Sequence, residues 1–437
     1  MTALPGRRRR STLVAAGAAV AVSAAAVGLG ALGAVTLYNS TEGADASSGR
    51  PELVFPATPT GLLAVVDEGG HLASMAVLVV QPSGTGGSVI PVPVSADASG
   101  GKGEERLPIA ETMSLNGTES LPAEAEALLG LTLDEVEIVD ADGLTEKLER
   151  FAPLDVELPI GVTDADGNVV AEAGAQTLDA AEAAAVLAAR DPSVPAADQY
   201  PAVRAVWSAI AAAIGDGIGA PTGSTTVPPA PGAQGGEVDG ILADLAAGPV
   251  GERGVRMRPV EGATNPRGVD VVLLDQAELA LVFGQIAPGK VAAPNPALSV
   301  RIESTFSDEQ LAETGMTNTD VAYAAVSQIL FVGGNVLSVD TAPADEPPGG
   351  ATVIEVADET LIAGTEGAEV LFGPIDVRVG ETRIVGVDAT IRLGTDYLDL
   401  LTELGAAPMP TVPTTDDREA APATTEPSDD GAGAGDD

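Results

Sequence analysis

Few residues in this sequence combine the type and the spacing that chemistry needs. There are no cysteines, which removes disulfides, thiolate nucleophiles and cysteine-ligated zinc or iron–sulfur centres. The single histidine, His71, has the right side chain for a general base. It follows Gly69-Gly70 in what reads as a hairpin turn, however, where a structural role is the expected one. Asp164-Ala165-Asp166-Gly167-Asn168 begins like a calcium-binding loop. Such a loop is completed by a glutamate where Gly174 stands here, so an Asp-Gly hairpin turn is expected instead. Arg253, Arg256 and Arg258 form a close basic group. They would suit an acidic polymer, and alternation along a strand would equally produce them.

The elements that must position such residues sit in a very acidic chain. Its 437 residues carry 21 Lys and Arg, four of them the run Arg7, Arg8, Arg9 and Arg10, against 64 Asp and Glu. A surface of that sign repels nucleic acid, whose binding draws on neutralised phosphates. From Ser11 to Tyr38 no residue is charged, and that run exceeds the roughly 20 residues a helix needs to cross a bilayer core. The arginines ahead of it should stay cytoplasmic, placing the remaining mass outside. A cleaved signal peptide is the competing reading, but its apolar core usually spans only about 7–15 residues.

Past a polar spacer, Leu62–Val66, Ala73–Val80 and Ser88–Val94 are short Val-rich runs separated by glycine-bearing turns, which predicts strands buried on both faces. Leu121–Gly130 reads as a helix, Val136–Val139 as a strand and Asp142–Arg150 as a helix. Thr177 is placed to cap a helix over Leu178–Arg190, and Pro201 to start another whose face carries Val203, Val206, Trp207, Ile210 and Ile214. Further on, strands are predicted at Val255–Val260 and Val269–Leu274, with a helix around Ala277–Phe283. A last unit has strands at Val300–Ile302, Val336–Val339, Thr352–Val356, Val370–Phe372 and Val387–Leu393, and a helix at Asp320–Leu330.

Taken in order, several of these stretches resemble the LytR-CpsA-Psr family of bacterial envelope proteins. Leu62 to Pro93 is similar to that family's opening strands, where an Ile-Pro-Arg-Asp turn recurs. Ala127-Leu128-Leu129-Gly130-Leu131, then Val136 to Asp140 and Gly143-Leu144, resembles its central helix–strand–helix. Gly174 to Trp207 resembles its active-site helices. Val377 to Tyr397, ending Leu393-Gly394-Thr395-Asp396-Tyr397, is similar to the C-terminal domain often attached to such proteins.

The resemblance implies transfer of glycopolymers from polyprenyl-pyrophosphate lipids to peptidoglycan. Arginines would hold the pyrophosphate, and carboxylates would hold a divalent metal or assist proton transfer. Carried over position by position, much of that set is missing. Ile90-Pro91-Val92-Pro93 stands at the Ile-Pro-Arg-Asp turn, with Asp97 the nearest carboxylate. An Arg-x-Arg pair becomes Ala188-Ala189-Arg190, and the Asp and Arg-x-x-Arg that follow fall on Asp198, Pro201 and Arg204. Two glutamines become Ala205 and Val206. The resemblance therefore leaves Arg190 and Arg204 as candidates for pyrophosphate and Asp198 and Asp97 as candidates for metal. Residue chemistry offers plainer roles: Arg190 near a helix C-terminus, where positive charge is favoured, Arg204 paired with an acid, and Asp198 an ordinary loop carboxylate.

These readings give an α/β protein. Its parts are a cytoplasmic stub (1–10), a transmembrane helix (11–38), a spacer (39–59), a LytR-CpsA-Psr-like α/β layered domain (60–214) and a Gly/Pro-rich linker (215–236). A small mixed segment (237–297), an accessory α/β domain (298–405) and an acidic tail (406–437) follow. The expected role is non-catalytic binding or scaffolding in cell-wall glycopolymer assembly at the plasma membrane, with a polyprenyl-phosphate lipid or wall polymer as partner. An active phosphotransferase is the alternative, and an exported acidic structural protein the second. No cofactor is expected unless the family's site functions, in which case Mg2+ or Mn2+ would serve. Protease added to spheroplasts should digest the body beyond Tyr38 and leave a short anchored fragment. A protected body would reverse the orientation, and a soluble form beginning near Ala26–Ser40 would establish cleavage.

Overall fold

The computed structural model describes residues 50–99, 106–215, 237–260 and 268–406. The expected span at Ser11–Tyr38, the Arg7–Arg10 run, nearly all of the linker and nearly all of the acidic tail lie outside them. Among the described residues no helix is long and apolar enough to cross a membrane.

The chain begins with β1 (Glu52–Leu53), then β2 (Thr60–Val66), β3 (Leu72–Val80) and β4 (Gly87–Val92). Every residue of β3 is buried, as are all but the last of β2, so these strands lie inside a layered domain as their unbroken apolar runs predict. Helices α1 (Ile109–Asn116) and α2 (Leu121–Leu129) follow, then β5 (Glu135–Val139) and α3 (Ala141–Leu148). Asp140 caps α3 by accepting from Gly143 N, which starts that helix one residue earlier than its apolar spacing suggests.

An excursion of short strands comes next: β6 (Leu154–Leu158), β7 (Val162–Thr163), β8 (Val169–Ala171) and β9 (Gly174–Leu178). Asp164 sits in the β7–β8 turn, where its carboxylate accepts from Asp166 N, Asn168 N and Asn168 Nδ2. That is the hairpin turn the incomplete calcium pattern implied. Thr177 lies in β9 and donates to Asp155 across the ladder, so it caps nothing. Asp179 caps α4 (Ala180–Ala188) through a reciprocal pair with Glu182, an Asp-x-x-Glu signature that satisfies two orphan donors where Thr177 would satisfy one.

Helix α5 (Ala196–Gly215) starts before Pro201 and carries that proline inside it. Its early turns are anchored by two of their own side chains, Tyr200, which donates to Pro91 O, and Gln199, whose Nε2 donates to Asp191 O and Val194 O. After α6 (Val238–Leu245), β10 (Val250–Glu252) pairs parallel with β4 and completes a sheet in the order β10-β4-β3-β2-β5. Residues 237–297, expected as a segment of their own, thus supply an edge strand to the first sheet. They also supply α6 to the core on one of its faces. Leu63, Val65, Ala76 and Leu78 pack against α3 to α6 on that face, while Leu62, Ala64, Met75 and Val77 pack against α1 and α2 on the other.

A small hairpin, β11 (Met257–Pro259) with β12 (Val272–Leu274), leads into α7 (Gln276–Ile286). This helix belongs to two cores. Leu279 and Phe283 join the second face of the first sheet, and Ala277 and Leu281 join the core of the C-terminal unit. At Gly284 an added Cβ would lie 3.2 Å from Val339 N, so a side chain there would require the next sheet to give by a few tenths of an ångström.

The C-terminal unit comprises β13 (Ser299–Glu303), α8 (Asp308–Leu311), α9 (Asn318–Phe331), β14 (Asn335–Asp340) and β15 (Thr352–Val356). It continues with α10 (Glu369–Phe372), β16 (Ile375–Val379), β17 (Arg383–Ile384), β18 (Ala389–Arg392) and α11 (Thr395–Glu403). Its sheet runs β14-β13-β18-β15-β16. Val370–Phe372, expected as a strand, is helical: Gly367 and Gly373 flank it and Phe372 packs on Tyr397 at 5.6 Å between ring centroids.

β1 pairs with β17 of this C-terminal unit, and with no strand of the first sheet. Arg50 donates to Gly380 O at 3.0 Å and Ala357 O at 2.8 Å. The residues that precede the first domain are therefore strapped across the last one before reaching β2.

Because α7 serves both cores, truncating either of its faces should destabilise the two units together. Leu279→Ala and Leu281→Ala should each cost about 2–5 kcal/mol. Urea denaturation followed by the single Trp207 and by far-UV circular dichroism should give coincident midpoints in both variants. Separate transitions would show that the units fold independently.

Candidate functional site

A cavity of about 480 Å³ lies at the end of the first sheet, where β4 leaves and β3 begins. Its wall comes from the 67–71 turn, the stretch after β4, the start of α1 and the loop joining α4 to α5. Each part is fixed by side-chain hydrogen bonds. Asp67 Oδ1 accepts from Gly69 N at 2.9 Å and His71 N at 2.8 Å and stands 3.2 Å from His71 Nδ1. His71 is thus a turn residue, as expected, and its ring also reaches the cavity rim. Tyr200 donates to Pro91 O at 2.9 Å, tying α5 to the exit of β4. Burial pushes the Tyr200 phenol upward, which keeps that donor protonated.

The α4–α5 loop is organised by Asp191, which accepts from Ser193 N, Ser193 Oγ and Thr163 Oγ1. Those bonds, Ser193 foremost, hold its carboxyl below the usual carboxylate range. The loop presents Arg190 to the cavity, two residues past the last residue of α4. Among the described residues no hydrogen bond or ion pair engages the Arg190 guanidinium. Glu111 and Asp270 line the same space. Glu111 has no side-chain partner among the described residues, and Asp270 accepts only from Ala197 N at 3.3 Å.

Two further wall residues escape a motif-based reading. The hydroxyls of Ser74 and Ser95 are buried and have no hydrogen-bond partner among the described residues, a condition that typically costs about 1–3 kcal/mol per group. Ser74 had a signal in the sequence: it is the one hydroxyl inside the otherwise apolar run Leu72–Val80. Glu111 and Asp270 had none, being two acids among many.

The remaining candidates lie elsewhere. Arg204 forms a two-pronged pair with Glu252, Nε to Oε1 at 2.9 Å and an Nη to Oε2 at 3.2 Å, so the plainer reading of this residue holds. Asp97 is bound by Arg106 and Ser99, and Asp198 is exposed on the first turn of α5. Among the described residues no three His, Asp or Glu side chains gather as a metal-ligand set. Asp97 and Asp198 lie on separate elements, the first paired with Arg106 and the second on an exposed helical turn.

The basic group is divided. Arg253 is exposed, and Arg258 borders a second cavity, of about 700 Å³, between the two units. Arg256 lies 3.3 Å from both Asp275 and Glu278, with its guanidinium 4.6 Å from the centre of the Tyr323 ring. Glu278 is 6% exposed, and burial pushes its carboxyl up while Arg256 draws it back down.

No protein-family model matches the chain, and no curated protein matches it. Solved structures show a partial likeness. Bacillus subtilis TagV is 13% identical, the similarity covering 52% of this chain and 94% of that one at a TM-score of 0.36. Bacillus subtilis TagU is 15% identical over 52% of this chain and 93% of that one, with a TM-score of 0.30. A structure of TagT bound to LIIa-WTA is 17% identical over 52% and 88%, with a TM-score of 0.35. Scores and identities of this size decide neither family nor function.

Proposed function

We propose that the chain is an extracytoplasmic cell-envelope protein that binds or scaffolds a cell-wall polymer, or its lipid-linked precursor, without transferring it. The observation that carries this reading is the division of the two candidate arginines. Arg190 lines the end-of-sheet cavity without an acid partner among the described residues, while Arg204 is held by Glu252. Phosphoryl transfer from a pyrophosphate depends on several positive charges fixed around the reacting centre. One arginine facing Glu111, Asp191 and Asp270 supplies a contact and little charge stabilisation. The sequence supports the location, through the arginine run and the long uncharged stretch behind it. The envelope role rests on the resemblance of the first domain's strands and helices to the LytR-CpsA-Psr pattern. A working phosphotransferase is the second reading, favoured by Arg190, which has no acid partner among the described residues.

Detergent-purified full-length protein, incubated with polyprenyl-pyrophosphate-linked glycan and Mg2+ or Mn2+, should release no phosphate and transfer no glycan. Arg204→Ala should lower stability by about 3 kcal/mol, because Glu252 is left partly buried without its partner. Arg190→Ala should leave stability unchanged and weaken retention of the wall ligand about tenfold. Metal-dependent phosphate release that disappears in Arg190→Ala would establish the transferase instead.

A further inference from the structure

We propose that the end-of-sheet cavity recognises a small zwitterionic, peptide-like group, its carboxylate on Arg190 and its ammonium on the side of Glu111 and Asp270. The inference rests on the cavity assigned above and narrows what enters it: the peptide-bearing part of a wall polymer, in place of a phosphate.

Charges of both signs face this one space without satisfying each other. Among the described residues Arg190 pairs with no acid, Glu111 pairs with no cation, and Asp270 has a single long backbone donor. Asp191 is already committed to Ser193 and Thr163. A pyrophosphate would satisfy Arg190 while meeting two uncompensated carboxylates, and a simple cation would meet Arg190. A neutral sugar would leave charges of both signs without a counter-charge. A ligand that carries both an ammonium and a carboxylate answers both, and such a site selects against ligands with one charge.

A cavity of about 480 Å³ falls within the usual range for small-molecule sites and admits a group of a few residues.

Titration calorimetry on the full-length protein separates the possibilities, with four probes at constant ionic strength: trialanine, N-acetyl-trialanine, trialanine amide and inorganic pyrophosphate. Trialanine should bind, and blocking either end should weaken binding about tenfold or more. In Arg190→Gln the penalty for the amide should vanish, and in Glu111→Gln the penalty for the acetyl group should vanish, with circular dichroism confirming the fold of both. Equal binding of blocked and free peptides would overturn the proposal. Pyrophosphate binding that depends on Arg190, with no peptide binding, would overturn it too while leaving the cavity as a wall-ligand site. Absence of heat with all four probes at about 10 mM would remove both the peptide ligand and the cavity's binding role.

Discussion

The helix Gln276–Ile286 is the part on which the rest depends, because its two faces are buried in different cores. Leu279 and Phe283 close one side of the first sheet, and Ala277 and Leu281 enter the core of the second. A helix in that position cannot turn without opening both cores, so two α/β units become one body. Its N-terminus is fixed by charge as well. Asp275 accepts from Ala277 N and Glu278 N, takes the Tyr323 hydroxyl at 2.7 Å and pairs with Arg256. That cluster joins the hairpin ahead of the helix to Tyr323 of the second unit.

Cations are scarce in this chain, and most of those described are used to hold it together. Arg204, Arg256 and Lys147 tie separate elements to carboxylates. On the second sheet Arg301, Arg378 and Arg392 share Glu303, Glu355 and Asp340. Individually such exposed pairs contribute about 0–1 kcal/mol, yet together they neutralise neighbouring acids on adjacent strands, where like charges repel. Against this pattern Arg190 and Arg258, each at a cavity wall, have no acid partner among the described residues.

Much of the fold was legible because its signal is periodic and local. The apolar runs of β2 and β3 read as strands buried on both faces, and the Asp164–Asn168 turn followed from the missing glutamate. The errors came where two local signals competed. Thr177 and Asp179 both suit a cap, and only the reciprocal bond with Glu182 settles which one serves. Pro201 marks a helix start by its missing N–H, yet Tyr200 and Gln199 hold the turns ahead of it in place. Residues 237–297 looked like a unit of their own because parallel pairing of Val250–Glu252 with Gly87–Val89 joins positions far apart in sequence and has no local mark. The site was legible in part: the resemblance pointed to Arg190, while Glu111, Asp270 and Ser95 come together only through the tertiary fold.

The strap at Arg50–Phe55 has a consequence for the order in which the molecule is completed. Arg50 bonds to residues 307 and 330 positions later in the chain, and Val385 N reaches back to Leu53 O at 2.9 Å. A ribosome delivers the strap first and its docking surface near the end. The first sheet can gather its strands while the chain still grows, but its opening residues have nothing to pair with until the last domain emerges. Contacts of such long separation carry a large loop-closure entropy and form late. Residues 50–53, made long before their docking surface, are among the last to find their place, and a chain stopped short of β17 would carry them permanently unpaired.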